Sequence, residues 1–102
     1  MKYNLKIEPE AHFDVQEGIK WYNEQQKGLG KRFHKEVKDY FRSLTINPFY
    51  TIKYDNIRCL PLNVFPYTIH FSINETVKTI IVRAVFQTSQ DPKGLSINKL
   101  PI

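Results

Sequence analysis

The sequence has few of the residues that carry redox or metal chemistry. It contains one cysteine, Cys59, in 102 residues. A single cysteine excludes an intrachain disulfide and a cysteine-based zinc site. No run approaches the ~20 consecutive apolar residues of a membrane helix, and the first ten residues, MKYNLKIEPE, lack the apolar stretch of a signal peptide. We therefore expect a cytoplasmic protein that needs no metal and no cofactor.

The composition that is present fits one globular domain. At this length a second hydrophobic core would not fit, so residues 1–102 are expected to form a single domain. Hydrophobic residues make up 41% of the chain and charged residues 25%, which is ordinary for a folded protein. The formal net charge of +5 favours an anionic partner, such as nucleic acid, a ribosome or an acidic protein segment.

Apolar spacing in the first half predicts one short strand and one helix. Tyr3, Leu5 and Ile7 alternate with polar residues, which is typical of a half-buried strand. From Pro9 to Gln26 the spacing becomes helical, and Gly28 is expected to take a left-handed conformation that ends this helix. One stripe of this helix holds Ala11, Val15, Ile19 and Tyr22. Trp21 lies off this stripe and is a candidate interface anchor.

A second helix follows at once. Its apolar residues recur every three or four positions, and it should end at Asn47, which precedes a proline. Two helices joined by about three residues pack as an antiparallel hairpin. The apolar stripe consists of Leu29, Phe33, Val37, Phe41 and Leu44, and the lysines and arginines between them are expected to form a solvated face.

The remainder of the chain is predicted to form a sheet. Strands are expected at Tyr54–Leu60, at Tyr67–Ile73 and at Val77–Phe86, with a hairpin turn at Asn74–Thr76. Hairpin connections make the sheet antiparallel, and the helical hairpin should cover one of its faces. The predicted fold is therefore α+β, with the element order β-α-α-β-β-β.

Alternation in the last two strands predicts which side chains face the helices. Ile80, Val82, Ala84 and Phe86 share an apolar face and should pack beneath the helices. The opposite, uncovered face should carry Arg83 beside His70, with Arg58 nearby if its strand has the expected register. The other residues predicted on that uncovered face are Thr68, Ser72, Thr79, Ile81, Val85 and Gln87.

The order of local motifs along the chain is more specific than any one of them. After the first short strand come PEAHFDVQEGIKWY (Pro9–Tyr22), GLGKRFHKEVKDYFRSLTINP (Gly28–Pro48), Arg58, FPYTIHFSI (Phe65–Ile73) and IIVRAVFQTSQDP (Ile80–Pro92). In this order the chain resembles the RelE/ParE superfamily of toxins from bacterial type II toxin–antitoxin systems, over nearly its whole length. The helical hairpin against an antiparallel sheet that this family has agrees with the fold predicted above.

The resemblance implies a growth-inhibiting toxin of the kind that stabilises plasmids, neutralised by a cognate antitoxin. RelE-like members cleave mRNA in the ribosome, and ParE-like members bind and poison DNA gyrase. The long helical hairpin and the triplet Phe65-Pro66-Tyr67 resemble ParE, which favours gyrase inhibition. Two alternatives stay open, a ribosome-dependent endoribonuclease and a degenerate, non-toxic module that only binds an antitoxin.

A nuclease of this kind would need a base, an acid and cations for the charged phosphorane. The candidate catalytic residues are His70, Arg83 and Arg58. Cleaving relatives tend to carry an arginine where this chain has Thr68, and a histidine and a basic residue at the positions of Gln87 and Gln90. Neither glutamine supplies a proton or a charge, so the sequence favours a binding protein over an enzyme.

Partner binding is the simpler role for the uncovered face. We expect an extended or helical antitoxin segment to lie over the helical hairpin and this open face, with Arg83 and Arg58 pairing acidic residues of the partner. The predicted partner-binding residues are Arg83, Arg58, Ile81, Val85, Gln87 and Trp21. His12 and His34 lie on helices at spacings that do not make them ligands together with His70, so no metal site is expected.

Overall fold

The computed structural model describes residues 2–88, which form a helical hairpin packed on a five-stranded sheet. The elements are β1 (Asn4–Ile7), α1 (Pro9–Gln25), α2 (Leu29–Ile46), β2 (Ile52–Tyr54), β3 (Ile57–Pro61), β4 (Tyr67–Asn74) and β5 (Thr79–Gln87). Gln90 and the closing segment 96–102 lie outside the described residues. Within the described part, no helix is both long and apolar enough to cross a membrane.

The sheet is mixed and has the strand order β1-β5-β4-β3-β2. The antiparallel arrangement predicted for the later strands is confirmed, and β1 adds a parallel strand beside β5. A turn at Asp55, whose φ is 49°, interrupts the predicted strand at 54–60: Tyr54 is the last residue of a separate strand, β2, and β3 begins at Ile57. The structure therefore has four strands after the helices where the sequence predicted three.

Both helices begin and end close to the predicted residues. Pro9 occupies the first turn of α1, where its missing N–H leaves no hydrogen bond unmade. Gly28 has a φ of 87°, which confirms the predicted left-handed residue between the helices. At Gly30 a side chain would collide with the Ile19 carbonyl oxygen, so glycine lets the two helices approach closely. The Asn23 side chain accepts a hydrogen bond from the Gly30 amide at 2.9 Å.

The hydrophobic core lies between the hairpin and one sheet face. Its centre is aromatic: the Tyr22 and Phe65 rings are 4.8 Å apart, as are the Phe33 and Tyr67 rings. Full burial of a side chain such as Phe33 contributes about 1.5–3 kcal/mol. The predicted stripes of both helices supply the helical half of this core: Ala11, Val15, Tyr22, Phe33, Val37, Phe41 and Leu44 are buried, and Ile19 and Leu29 are partly buried.

A β-bulge at Arg83 changes the side-chain alternation of β5. His70 of β4 pairs with Ala84, but the next β4 residue, Phe71, pairs with Val82. Arg83 is therefore an additional residue between two ladder positions. Because side chains alternate with a period of two, one inserted residue reverses the faces of everything that follows.

The predicted faces of Val85, Ala84 and Phe86 were therefore wrong. Val85 pairs with Ile69, is 2% exposed and belongs to the core beneath the helices. Ala84 and Phe86 pair with His70 and Thr68 and lie on the opposite side of the sheet, here called the outer face. The sequence placed these three residues by strict alternation, which the bulge interrupts.

One carboxylate fastens the connection between β3 and β4 to α2. Glu36 accepts hydrogen bonds from the amides of Val64 and Phe65 at 2.9 and 3.2 Å. The carboxylate thereby satisfies two backbone donors of the connection that lack a sheet partner. Phe65 is held with its ring in the core.

Candidate functional site

Arg83 lies on the outer face, as predicted. The bulge leaves its side chain exposed, and its Nε donates a hydrogen bond to the Ser72 hydroxyl at 3.2 Å. Ser72 pairs with Ile81, which is half-buried on the same face. The guanidinium therefore remains accessible to a partner carboxylate.

His70 also lies on the outer face, as predicted, but it is not exposed as a residue of an uncovered face was expected to be. The side chain is 1% exposed. Its Nδ1 lies 3.0 Å from the Tyr54 hydroxyl and 3.6 Å from Cys59 Sγ. The Phe86 ring, brought to this face by the bulge, packs edge-on against the imidazole with centroids 4.9 Å apart. A general base must reach the proton that it removes, and this burial separates His70 from a large substrate.

Arg58 lies on the other side of the sheet, so the expected register of its strand was wrong. It pairs with Phe71, a core residue, which directs its side chain toward the helix side. Its Nη1 donates a hydrogen bond to the Tyr50 carbonyl at 2.8 Å, and the guanidinium carbon lies 5.8 Å from the centre of the Phe49 ring. Arg58 thus braces the segment that follows α2.

The three candidate catalytic residues do not form one site in the structure. Arg83 is exposed on the outer face, His70 is buried beneath it, and Arg58 is on the helix side. An acid–base pair with a cation beside it would need these groups to converge on one substrate atom. In the part of the chain that the structure describes, no group of three or more His, Cys, Asp and Glu side chains is arranged to hold a metal ion.

The predicted partner-binding residues do not share one surface. Arg83 and Ile81 share the outer face, as expected. Val85 is in the core, and Gln87 pairs with Tyr67 on the helix side, so neither lies on the outer face. Trp21 is 46% exposed on α1, where the buried Tyr22 ring packs against it edge-on with centroids 5.0 Å apart.

A second surface, which the sequence analysis did not single out, runs along one side of α1. We call it the acidic side of α1. It is formed by Glu10, Phe13, Asp14, Glu17, Trp21 and Glu24, which fall within about 120° of the helix circumference at 3.6 residues per turn. Phe13, which lay off the predicted stripe, is 62% exposed. Its position off the stripe was the signal in the sequence that could have found this surface.

Two cavities open along the acidic side of α1. The first, about 420 Å³, is lined by Phe13, Asp14 and the outer-face residues Ala84 and Phe86, together with Pro9 and Glu10. The second, about 470 Å³, is lined by Glu17, Lys20, Trp21, Glu24, Tyr67 and Gln87. Each cavity therefore combines an exposed aromatic ring with carboxylates.

Asp14 joins this surface to the edge of β5. One of its carboxylate oxygens accepts a hydrogen bond from the Val85 amide at 3.0 Å, two residues past the bulge. Partial burial raises the pKa of Asp14 above its ordinary value, and the negative charge of Glu10 raises it further, while the Val85 hydrogen bond acts in the opposite direction. Burial likewise raises the pKa of the Tyr67 hydroxyl, with Tyr22 and Asp14 adding to the shift.

The chain has the fold of the RelE and ParE toxins, which confirms the fold expected from the resemblance. It is similar to a chain of the chromosomal ParDE toxin–antitoxin system from P. aeruginosa, with a TM-score of 0.73 and 15% identity over 84% of this chain and 96% of that chain. It is also similar to a chain of the intact E. coli RelBE toxin–antitoxin complex, with a TM-score of 0.63 and 12% identity over 83% and 95% of the two chains.

The isolated E. coli RelE toxin gives a TM-score of 0.62 at 13% identity, over 89% of this chain and 96% of that chain. No protein-family model matches the sequence. No curated protein matches it either. The likeness therefore lies in the arrangement of the backbone.

Proposed function

We propose that this protein is the toxin of a bacterial type II toxin–antitoxin system, that it acts in the cytoplasm, and that it inhibits growth by binding DNA gyrase. The fold likeness to toxins of such systems supports the general class. The TM-score of 0.73 with the ParDE chain, against 0.63 with the RelBE chain, supports the ParE-like branch.

The observation that carries the choice of binding over catalysis is the separation of the candidate reagents. A ribosome-dependent nuclease would use His70, Arg83 and Arg58 together, yet Arg58 is hydrogen-bonded to Tyr50 on the helix side and His70 is buried. At Thr68 and Gln87, where cleaving relatives tend to carry an arginine and a histidine, this chain has uncharged side chains. We therefore assign the toxic effect to a protein–protein contact.

The antitoxin contact is proposed on the outer face around Arg83. Its guanidinium is exposed, and Ile81 beside it is half-buried and available for further burial. An acidic, partly apolar antitoxin segment would pair the guanidinium and cover Ile81. The net charge of +5 would add a longer-range attraction to such a segment.

Induced expression in a bacterial host tests the toxin proposal. We expect growth arrest, loss of plasmid supercoiling and inhibition of purified gyrase, with mRNA left intact. A His70→Gln variant, verified as folded by circular dichroism, should remain toxic. Normal growth while folded protein accumulates would contradict toxicity. Cleavage of ribosome-bound mRNA that the His70→Gln variant loses would instead support the nuclease.

Co-expression with the neighbouring short reading frame tests the antitoxin contact. Arg83→Glu should weaken rescue by an acidic antitoxin, because it places like charges against each other. Lys31→Glu makes the same charge change on α2 and should leave rescue unchanged. Equal loss of rescue in both variants would mean that the outer face has no special role.

A further inference from the structure

We propose that the acidic side of α1 is a docking surface for a basic segment of another protein, bearing one apolar side chain and several arginines or lysines. This inference goes beyond the proposed function and does not depend on toxicity. It adds a second interaction surface, whose charge is opposite to that of the whole chain.

Charge in this protein is divided between its two helices. Residues 9–25 of α1 carry four carboxylates and one lysine, whereas residues 29–46 of α2 carry five lysines and arginines and two carboxylates. A chain with a net charge of +5 thus keeps a negative surface on one helix. Positively charged partners are attracted to this side and repelled by the rest of the molecule.

Two exposed aromatic rings make this surface more than a solvated helix face. Phe13 and Trp21 are eight residues apart, a rise of about 12 Å along the helix, and each lines one of the two cavities. The Tyr22 ring packs edge-on against Trp21 and limits its movement, so less conformational entropy is lost on binding. Aromatic rings bordered by charged groups are typical of binding hot spots.

The chemistry of the two cavities defines the side chains that would enter them. The cavity beside Phe13 has apolar walls from Pro9, Ala84 and Phe86, and it suits an aliphatic side chain. The cavity beside Trp21 has the carboxylates of Glu17 and Glu24, and it suits an arginine that contacts both the ring and the carboxylates. Among the described residues that line this cavity, Lys20 is the one basic residue, and its flexible side chain can move aside.

The test uses Trp21 as its own reporter, because the chain contains one tryptophan. The probe is a synthetic helical peptide with a leucine and an arginine eight residues apart, to match the two cavities, and further arginines between them. The matched peptide has every arginine replaced by glutamate. We expect the arginine peptide to shift Trp21 fluorescence saturably to shorter wavelength, with affinity that falls as salt rises, and we expect no shift from the glutamate peptide.

Variants with matched controls locate the contact. Glu17→Gln and Glu24→Gln should each weaken binding about two- to fivefold, as expected for exposed ion pairs. Phe13→Ala should weaken it about tenfold. Asp55→Asn removes the same charge at the far edge of the sheet, and Val77→Ala trims an exposed side chain of the β4–β5 turn. Both controls should bind as the unaltered protein does.

Three outcomes would overturn the proposal. One is the absence of a saturable shift with the arginine peptide. Another is an equal shift with the glutamate peptide, or equal weakening by Asp55→Asn and Glu17→Gln. The third is self-association of the protein alone in light scattering, lost in Glu17→Gln. That result would assign the surface to the basic α2 of a second copy.

Discussion

The central strands β4 and β5 have similar apolar alternation in the sequence, but only β4 keeps it in the structure. In β4, the residues from Tyr67 to Ile73 alternate regularly between the helix side and the outer face. In β5, the bulge at Arg83 divides the strand into two halves of opposite parity. The comparison teaches that an exposed charged residue within an apolar strand can itself be the bulge residue. The apolar residues before and after it can then both supply side chains to the core.

Paired deletions should give the largest difference between the two halves of β5. Deletion of Arg83 removes the bulge and leaves Val82 and Val85 on the core side, so we expect a loss of less than about 2 kcal/mol in the free energy of unfolding. Deletion of Ile81 makes the core residues Ile80 and Val82 adjacent, so one of them must face outward. We expect that loss to exceed about 5 kcal/mol, enough to unfold most small domains.

Urea denaturation followed by circular dichroism measures both deletions. The matched pair controls for chain shortening, since each variant loses one residue of the same strand. If the Arg83 deletion unfolds the protein as readily as the Ile81 deletion, the bulge is not at Arg83.

Threonine substitutions should sharpen the face assignment. Val85→Thr buries a hydroxyl beneath the helices and is expected to cost about 1–3 kcal/mol. Ile81→Thr, at a half-buried outer-face position, should cost less than about 1 kcal/mol beyond its lost methyl group. Thermal unfolding of the two variants is the measurement. The reverse order of stability would support strict side-chain alternation along β5, without a bulge.

Arg58 on the helix side and Arg83 on the outer face allow the same comparison, with a smaller expected difference in the free energy of unfolding. Arg58→Gln removes the hydrogen bond to the Tyr50 carbonyl and the contact with the Phe49 ring. We expect a cost of about 1–2 kcal/mol. Arg83→Gln, on an exposed side chain, should cost less than about 0.5 kcal/mol. Equal costs in chemical denaturation would show that Arg58 does not brace the segment after α2.

The pH dependence of Asp14 should give the smallest effect. Because the pKa of Asp14 is raised in the folded protein, the folded state binds more protons than the unfolded state in this range. The stability of the unaltered protein relative to Asp14→Asn should therefore be greatest below about pH 3.9, the ordinary aspartate value, and should fall as the pH rises through the raised pKa.

Denaturation curves of the two proteins between acidic and neutral pH check this prediction. Glu24→Gln, on the same helix, provides a control for the general charge of α1. A stability difference that grows with pH would mean that the Val85 hydrogen bond outweighs burial.

Local patterns in the sequence predicted the helices and the order of elements because those features depend on neighbouring residues. The stripe of α2 and the left-handed Gly28 are examples. The faces of Val85 and Arg58 depend instead on pairing between strands. The bulge in β5 decides the face of Val85. The register of β3 on β4, which an irregular connection joins, decides the face of Arg58. Neither leaves a signal in the alternation itself.

The candidate site was less predictable for the same reason. The position of Arg83 on the outer face followed from its local pattern and was predicted correctly. Trp21, which the pattern placed off the apolar stripe, is 46% exposed. The burial of His70 arises because Tyr54 and Phe86 meet over it from two different strands. The acidic side of α1 lies on the same helix as an apolar stripe, and that stripe is the stronger signal in the sequence.

The contact between Glu36 and the β3–β4 connection links elements that are 28 and 29 residues apart. Its two amide donors are aligned with the carboxylate only when α2 is docked and the strands on either side of the connection are paired. If α2 detached, both amides would lose their hydrogen-bond acceptor. If the pairing of β3 with β4 were lost, the Glu36 carboxylate would lose its two donors. The two layers should consequently lose their structure in a single cooperative transition, and amides of α2 and of β4 should exchange with solvent deuterium at similar limiting rates.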